Sequence, residues 1–241
     1  MEWAALTLEE VGEAARAGAV VVLPVGATEQ HGPHLATGTD WMIAERAALA
    51  AAERVGAVVL PTVAYGCSHG HTAAWPGTLS LSPATLAALV EDVGRWVHAS
   101  GFRKLVLVNA HATNQPPCGS ALLQLRHELP DLRVRLVTVW DLSDGIDAAY
   151  REEAADFHAN VAETSLLLHL APELVKLERA VDEPDRTVGL VFQYAVPQTT
   201  ASGVVGAPTR STPERGADLF EAVVDALATL LEQAGAERDP L

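Results

Sequence analysis

The stretch Ala19-Val20-Val21-Val22-Leu23-Pro24-Val25 is apolar at every position and ends at Gly26. A continuous apolar run of this length is typical of a strand whose two faces are both buried, as in a parallel sheet. Similar apolar stretches lie at 57–64 and 104–108, and segments with helical signals separate all three. This order of strands and helices predicts an α/β fold with a mostly parallel sheet and helices on both faces.

Local signals mark the helices around these strands. Thr7-Leu8-Glu9-Glu10 forms a capping box and Gly18 is a stop signal, which predicts a helix over 8–17. The other predicted elements are helices over 40–54, 83–100, about 118–128, 147–155, 160–170 and 219–233, an edge strand over 133–140, and loops over 26–38, 65–82 and 184–213. No linker or internal repeat divides the chain, so residues 1–241 are expected to form one domain.

Composition and charge narrow the class of protein. The chain has 241 residues, of which 49% are hydrophobic, and this suffices for one large core. The formal net charge of −15 and the lack of a basic cluster argue against nucleic acid as a partner. No apolar run approaches the roughly 18 residues of a membrane span, so no membrane partner is expected. The start lacks the basic region of a signal peptide and the two cysteines suit reduced thiols, which predicts a cytoplasmic protein.

Side chains able to bind a metal follow two of the predicted strands. Glu29 and His31 come just after the first strand, His111 comes just after the third, and Asp40 begins a helix. Ligands bind beyond the carboxyl ends of the strands in an open parallel sheet, so these four groups should meet at one rim. Mixed carboxylate and imidazole sets hold zinc or manganese and commonly activate water. The set therefore predicts a hydrolytic metal centre.

Taken one at a time, these groups have ordinary explanations. A Glu-x-His pair often occurs on a protein surface by chance. An Asn-x-His pair can be a hydrogen-bonding pair in a loop, and Asp40 can be a helix cap. A later segment adds to the set, since His158 and Glu163 precede the strongly apolar run 166–170. Glu163 is either an ordinary first-turn carboxylate or a ligand or base directed at the same rim.

Several blocks of this sequence together resemble the creatininase (creatinine amidohydrolase) family. They lie in the family's order between about residues 20 and 175, and as a set they are highly specific. The blocks are Leu23-Pro24-Val25-Gly26-Ala27-Thr28-Glu29-Gln30-His31-Gly32-Pro33-His34-Leu35 with Gly38-Thr39-Asp40, Tyr65-Gly66 with His71, Trp75-Pro76-Gly77-Thr78-Leu79-Ser80, Asn109-Ala110-His111-Ala112-Thr113-Asn114, and His158 with Glu163-Thr164-Ser165.

The resemblance implies a three-layer α/β/α fold and a centre of two divalent ions per chain, which would be zinc, manganese or iron. It implies hydrolysis of a non-peptide C–N amide bond, often cyclic or formyl, in a small molecule. By motif match, Glu29 and His111 would hold one ion and His31 the other, with Asp40 bridging the two. Family members often form hexamers, so a homo-oligomer is expected.

Departures from the family pattern place this chain in the wider family rather than with creatininase itself. Creatininases carry a glutamate ligand two residues after the histidine that matches His111, and here that position is Thr113. The second ion would then need another carboxylate, for which Glu163 is the candidate. The segment Gly203-Val204-Val205-Gly206-Ala207-Pro208-Thr209 resembles the peptidases of mycofactocin maturation, although it can also simply shape a shared loop.

These residues suggest a mechanism in which two bound ions activate water for attack on an amide carbon. His158, with Asp156 as its candidate partner, would pass a proton to the leaving nitrogen, because imidazole titrates near neutral pH. Glu163 would serve as ligand or base. The predicted substrate contacts are His71, Trp75 and Thr113. For His71, a solvated loop position is an equally good explanation.

Three functions fit the sequence. The first is a dinuclear metal amidohydrolase that acts on a small molecule. The second is a peptidase that trims a modified peptide, which would need a groove rather than a closed pocket. The third is a non-catalytic metal-binding or scaffolding protein that keeps the fold. Metal content and activity against matching substrates separate the three.

Overall fold

The structure is a computed structural model, and it describes residues 1–71 and 74–240. In this part of the chain a four-stranded sheet forms the centre of the fold. Its strands are β1 (Val21–Val25), β2 (Val58–Val59), β3 (Lys104–Asn109) and β4 (Arg133–Thr138). The strand order is β2-β1-β3-β4, and each pair of neighbours is parallel. The predicted α/β fold with a parallel central sheet is confirmed.

Helices connect and cover the strands. They are α1 (Leu8–Arg16), α2 (Thr39–Val55), α3 (Pro83–Ala99), α4 (Gln115–Glu128), α5 (Asp144–Tyr150), α6 (Val161–Leu170), α7 (Val196–Thr199) and α8 (Pro213–Ala236). Short 3-10 turns lie at Trp3–Ala5, His69–His71, Ala112–Asn114, Val139–Leu142, Pro172–Leu174, Leu177–Arg179 and Pro208–Arg210. Among the described residues, no helix is long and apolar enough to span a bilayer.

The sheet separates two hydrophobic cores, because successive residues of a strand point to opposite faces. On β1, Val22 faces one core, whereas Val21 and Leu23 face the other. Residues of α2, α6 and α8 complete the first core, and residues of α1, α3 and α4 complete the second. The three-layer α/β/α architecture implied by the family resemblance is therefore the one observed.

The second strand is shorter than the sequence predicts. The apolar run 57–64 forms a ladder only over Val58–Val59, and beyond it Val63 makes an isolated bridge to Val25. Pro61 lies between these two pairings and has no backbone N–H to donate, so the ladder is interrupted there. The apolar character of the run reflects burial near the sheet rather than a continuous strand.

Two predicted helix boundaries were wrong because capping residues were overlooked. The helix expected over 147–155 is Asp144–Tyr150, since the Ser143 side chain accepts from the backbone N–H of Ile146 and starts the helix earlier. The helix expected from residue 219 begins at Pro213, because the hydroxyl of Thr212 caps it and proline suits its first position.

Close packing of α8 against α6 depends on Gly216. A β carbon at this position would overlap the main-chain carbonyl of Ser165 in α6, the helix that carries Glu163. We expect Gly216→Ala to lower the free energy of unfolding by about 1–3 kcal/mol, the usual cost of overpacking, or by more if the helices cannot separate. Urea denaturation measures this change.

Gly235 in the same helix provides the matched control, because a β carbon there would meet only the Val20 side chain, at 3.9 Å. Gly235→Ala should leave the protein as stable as the wild type or raise its stability by up to about 1 kcal/mol, since alanine favours a helix over glycine. Equal urea midpoints for Gly216→Ala and the wild type would show that α8 does not pack on α6 as described.

Candidate metal centre

The fold brings the predicted ligands to one rim of the sheet. Strands β1 and β3 are neighbours whose last residues, Val25 and Asn109, lie opposite each other, so the loops that follow them begin side by side. The first loop carries Glu29 and His31, and the second carries His111. The N-terminus of α2, with Asp40 as its second residue, approaches the end of β1 so closely that a side chain at Gly26 would overlap the backbone at residues 40–41.

The N-terminus of α6 supplies Glu163 to the same rim. The Asn160 side chain caps this helix by accepting from the backbone N–H of Glu163 at 3.1 Å, and it donates to the Tyr150 carbonyl at 2.6 Å. His158 lies just before the cap and pairs with Val205 through two backbone hydrogen bonds of 3.0 and 2.8 Å. The segment 184–213 is thus tied to the centre by an isolated antiparallel bridge.

The carboxylates and imidazoles of the centre are in direct contact. Asp40 Oδ1 lies 3.0 Å from His31 Nε2, and Asp40 Oδ2 lies 3.2 Å from His111 Nδ1. Glu29 contacts His111 Nε2 at 3.3 Å through Oε2 and His158 Nε2 at 3.0 Å through Oε1. Glu29, His31, Asp40 and His111 are all buried, as is Glu163. The structure brings all five predicted ligands together.

Main-chain carbonyls orient the two candidate ligand imidazoles. The carbonyl of Glu29 accepts from His31 Nδ1 at 3.3 Å, which leaves Nε2 facing Asp40. The carbonyl of Cys67 accepts from His111 Nε2 at 3.0 Å, which leaves Nδ1 facing the same carboxylate. Such contacts to the outer nitrogen are the usual way in which a protein fixes the tautomer of a metal-binding histidine.

The donor atoms form overlapping groups that could hold a metal ion. Three groups of possible ligands have their donor atoms within 4.8 Å of one another, namely Glu29 with Asp40 and His111, His31 with Asp40 and Glu163, and Glu29 with His31 and His158. In the described part of the chain, Glu163 Oε2 is buried without a hydrogen-bond partner, and Glu29 Oε2 and Asp40 Oδ2 have only their ion-pair contacts with His111. Burying such oxygens is costly unless a cation compensates them. Glu29, His31 and Asp40 each belong to two of the three groups, and Asp40 is the residue that joins the group of His111 to the group of Glu163.

Before any cation binds, the charged groups of the centre stabilise one another. Burial disfavours a charged His31, but the Asp40 carboxylate outweighs burial and raises the pKa of His31 to about 10. Glu29 and Asp40 act against burial in the same way at His111 and raise its pKa to about 9. Burial also opposes ionisation of Glu29, yet His111 and the other nearby imidazoles hold the pKa of Glu29 well below its usual range.

The side of the centre around Glu163 lacks compensating positive charge. Burial raises the pKa of Glu163, and the nearby His31 offsets this only in part. Burial, together with the charges of Glu163 and Asp40, raises the pKa of Tyr150 well above its usual value. The Tyr150 hydroxyl is also buried and has no hydrogen-bond partner among residues 1–71 and 74–240. A divalent ion beside Glu163 would relieve this deficit of positive charge.

A cavity of about 250 Å³ opens onto the centre. The rings of Trp140 and Phe157 form part of its wall, with centroids 5.2 Å apart and planes at 89°. His71 and Thr113, two of the predicted substrate contacts, also line it. Trp75 is half-buried and is not among the described residues that line the cavity, so its contact with substrate stays a prediction.

The structure changes one expected contact and reveals others. The sequence suggested Asp156 as the partner of His158, but the Gly203 carbonyl instead accepts from His158 Nδ1 at 2.7 Å. His71 contacts Gln30 at 3.1 Å, and burial lowers the pKa of His71 to about 3. The contacts made by Gly203 and Gln30 were missed, since a glycine carbonyl and a lone glutamine carry no pattern that identifies them.

The three-layer α/β/α fold, with buried carboxylates and imidazoles beyond the strand ends, defines this protein as an α/β protein with a candidate metal centre. Comparison with known proteins gives the particular family. The sequence model of the creatininase family, described as creatinine amidohydrolase, matches residues 4–231, and the chain belongs to that family. It is accordingly a hydrolase acting on C–N bonds.

The chain is similar in sequence to relatives whose names give different substrates. The chain is 34% identical to creatinine amidohydrolase of Pseudomonas putida over 246 residues, which cover 95% of each chain. It is 32% identical to the mycofactocin precursor peptide peptidase of Mycolicibacterium smegmatis over 232 residues, covering 92% of this chain and 88% of the peptidase. The family is therefore shared by an enzyme for a small amide and an enzyme for a peptide.

Solved structures show the same fold. A crystal structure of creatininase superposes with a TM-score of 0.88 at 32% identity, covering 98% of each chain. A manganese form of creatininase and a zinc–zinc form of a mutant creatininase each superpose with a TM-score of 0.84 at 32% identity, covering 96% of this chain and 97% of theirs.

Proposed function

We propose that this protein is an amidohydrolase in which a dinuclear metal centre activates water to cleave a non-peptide C–N amide bond, cyclic or formyl, in a small molecule. Residues 1–241 would act as one hydrolase domain. The observation that carries the proposal is the pair of buried donor groups that share Asp40 at the rim of the sheet. The cavity above them, at about 250 Å³, has the size of a small-molecule site rather than of a long groove.

Five residues would hold the two ions. Glu29, Asp40 and His111 would bind one, and His31, Asp40 and Glu163 would bind the other. When bound, the ions would lower the pKa of a water molecule and polarise the amide carbonyl. Zinc and manganese are the first candidates, because both occur in solved creatininases and both suit mixed carboxylate and imidazole donors, and ferrous iron is a third.

The protein's own groups would handle the proton and the substrate. His158 donates from Nδ1 to the Gly203 carbonyl, and its Nε2 lies 3.0 Å from Glu29 Oε1, so a proton held at Nε2 could be delivered to the leaving nitrogen. His71 and Thr113 would contact the substrate from the cavity wall. Trp75 does not line the described cavity, and it would contact the substrate from its own loop. Trp140 and Phe157 offer an aromatic wall to a flat amide.

A peptidase acting on a modified peptide is the second candidate. Tyr194 and Val196 line the cavity, and the residues just before them expose a row of apolar side chains. Val188, Val191 and Phe192 are 77%, 90% and 76% exposed. A peptide could cover such a surface while its scissile bond lies in the cavity.

Metal analysis combined with substrate tests decides among the functions. The purified protein should contain two divalent ions per chain and should hydrolyse creatinine or a formamide, and a chelator should abolish the activity. Cleavage of short C-terminal peptides without cleavage of small amides would support the peptidase. Two bound ions with no hydrolysis of any of these substrates would favour the non-catalytic alternative.

Light scattering would test the proposed homo-oligomer, with a hexamer expected.

Glu163→Gln tests the assignment of the second ion. The amide removes one anionic ligand from the group formed by His31, Asp40 and Glu163, so we expect the metal content to fall from two ions to one. Metal analysis after dialysis against a metal-free buffer measures this change. The matched control is Glu153→Gln. Glu153 is a half-buried carboxyl group that, like Glu163 Oε2, has no hydrogen-bond partner in the described residues, but it lies outside the donor groups. Equal metal content in the two variants would exclude Glu163 as a ligand.

A further inference from the structure

Two imidazoles beside the centre are oriented by groups outside the proposed ligand set. The rings of His71 and His158 lie with centroids 4.4 Å apart, and both residues line the cavity. At Nδ1, the neighbour of His71 is the Gln30 side chain and the neighbour of His158 is the main-chain carbonyl of Gly203, while His158 Nε2 faces Glu29 Oε1 at 3.0 Å. These neighbours determine which ring nitrogen carries the proton.

The orientation of the Gln30 amide follows from its two backbone partners. Its Oε1 accepts from the N–H of Gly32 at 2.9 Å, and its Nε2 donates to the carbonyl of Gly203 at 3.3 Å. If the amide were reversed, its N–H group would face the N–H of Gly32 and its oxygen would face the carbonyl oxygen of Gly203. The same Nε2 lies 3.1 Å from Nδ1 of His71, so this Nδ1 accepts and the ring proton of His71 is on Nε2.

His158 has the opposite arrangement. Its Nδ1 lies 2.7 Å from the carbonyl oxygen of Gly203, which can only accept, so Nδ1 carries a proton. Its Nε2 lies 3.0 Å from Oε1 of Glu29. His71 therefore presents an acceptor at Nδ1, whereas His158 presents a donor at the same ring position.

One carbonyl links the two arrangements, because Gly203 accepts from both Gln30 and His158. Its φ of +82° lies in the left-handed region, and a β carbon there would overlap the Gln30 side chain. Glycine is therefore needed at this position for its backbone angle and for the close approach of Gln30. This gives a physical reason for the glycine that begins the segment 203–209.

We propose that His71 is a fixed hydrogen-bond donor to the carbonyl oxygen of the substrate, with Gln30 as the positioning residue that keeps its proton on Nε2. The inference rests on the proposed amide hydrolysis and adds to it a division of roles. His158 carries the proton that moves, and His71 stabilises the negative charge that develops on the substrate oxygen. His71 Nε2 is 3.6 Å from Glu29 Oε1, too far for a hydrogen bond, and it makes none to the residues the structure describes. Its donor is thus available to a ligand in the cavity.

Nitrogen NMR of the zinc-loaded wild type tests the tautomers without any substrate. Protein labelled with ¹⁵N-histidine gives long-range proton–nitrogen correlations that distinguish a protonated ring nitrogen from a bare one, and the variants His71→Gln and His158→Gln assign the two rings. We expect His71 to be protonated at Nε2 and bare at Nδ1, and His158 to be protonated at Nδ1. A His71 protonated at Nδ1, or the same tautomer in both rings, would overturn the proposal whatever reaction the enzyme catalyses.

A pair of variants tests the role of His71 as a donor. Glutamine at position 71 can keep an N–H near the place of Nε2, whereas methionine keeps the bulk and removes the donor. We expect kcat/KM to fall by about 10²–10³-fold in His71→Met, the usual effect of losing one such donor, and by clearly less in His71→Gln, with two ions bound in both. Equal loss in the two variants, or loss of an ion from His71→Met, would contradict a donor role. A protein that hydrolyses no amide but shows the expected NMR pattern would refute the proposed function and leave the tautomers established.

Discussion

Asp40→Asn is expected to remove both metal ions and to lower kcat/KM on the order of 10³-fold or more. Asp40 is the one carboxylate shared by the two proposed ion sites, and its oxygens face His31 at 3.0 Å and His111 at 3.2 Å. The amide keeps the shape of the side chain but loses the charge that would bridge two cations. The expected loss reflects the several kcal/mol that bound metal ions contribute to such reactions, at 1.36 kcal/mol for each tenfold change.

Metal content and thermal unfolding measure this effect together. A chelator should lower the Tm of the wild type, because binding to the folded state alone stabilises it, but should not change the Tm of Asp40→Asn. Glu53→Gln is the control, since Glu53 is an exposed carboxylate on the same helix. It should keep two ions, full activity and the chelator-sensitive Tm. Two tightly bound ions in Asp40→Asn would contradict the bridging role.

His158→Ala is expected to lower kcat by roughly 10²–10⁴-fold, the usual contribution of a general acid or base, while two ions remain bound. The ring is held by the Gly203 carbonyl at 2.7 Å and directs Nε2 to the centre, 3.0 Å from Glu29. Its loss removes the group proposed to protonate the leaving nitrogen.

The same variant separates a proton carrier from a ligand. His158 belongs to a third group of possible metal donors, with Glu29 and His31. Loss of an ion from His158→Ala would make the imidazole a ligand and would reassign the proton transfer. His98→Ala is the control, because His98 pairs with Asp131 on the surface and should have no effect on rate or metal content. Full activity in His158→Ala would exclude both roles.

The position of the centre could be predicted from the sequence because parallel strands impose it. Once β1 and β3 are neighbours, the residues that follow their carboxyl ends must meet, so Glu29 and His111 converge without further information. Asp40 follows from the helix that begins there. The segment around His158 suggested Glu163 as a ligand or base, and the departure from the family pattern made it the candidate carboxylate for the second ion. Its position depends on α6 returning to the same rim, a contact that no local pattern specifies.

The contacts that orient the centre could not be predicted in this way. Gly203 lies 45 residues beyond His158 and acts through its carbonyl, which every residue possesses. Gln30 acts through an amide orientation that depends on two backbone partners. Asp156 is the nearer candidate in sequence, but the bridge between His158 and Val205 brings the Gly203 carbonyl to the ring instead.

A crystal structure of the protein grown with zinc or manganese, with the ions located by anomalous scattering, tests the central claim most directly. The expected result is two ions per chain, one held by Glu29 and His111 and the other by His31 and Glu163, with the carboxylate of Asp40 between them. A structure that showed these side chains directed apart, with no ion among them at saturating metal, would contradict the account.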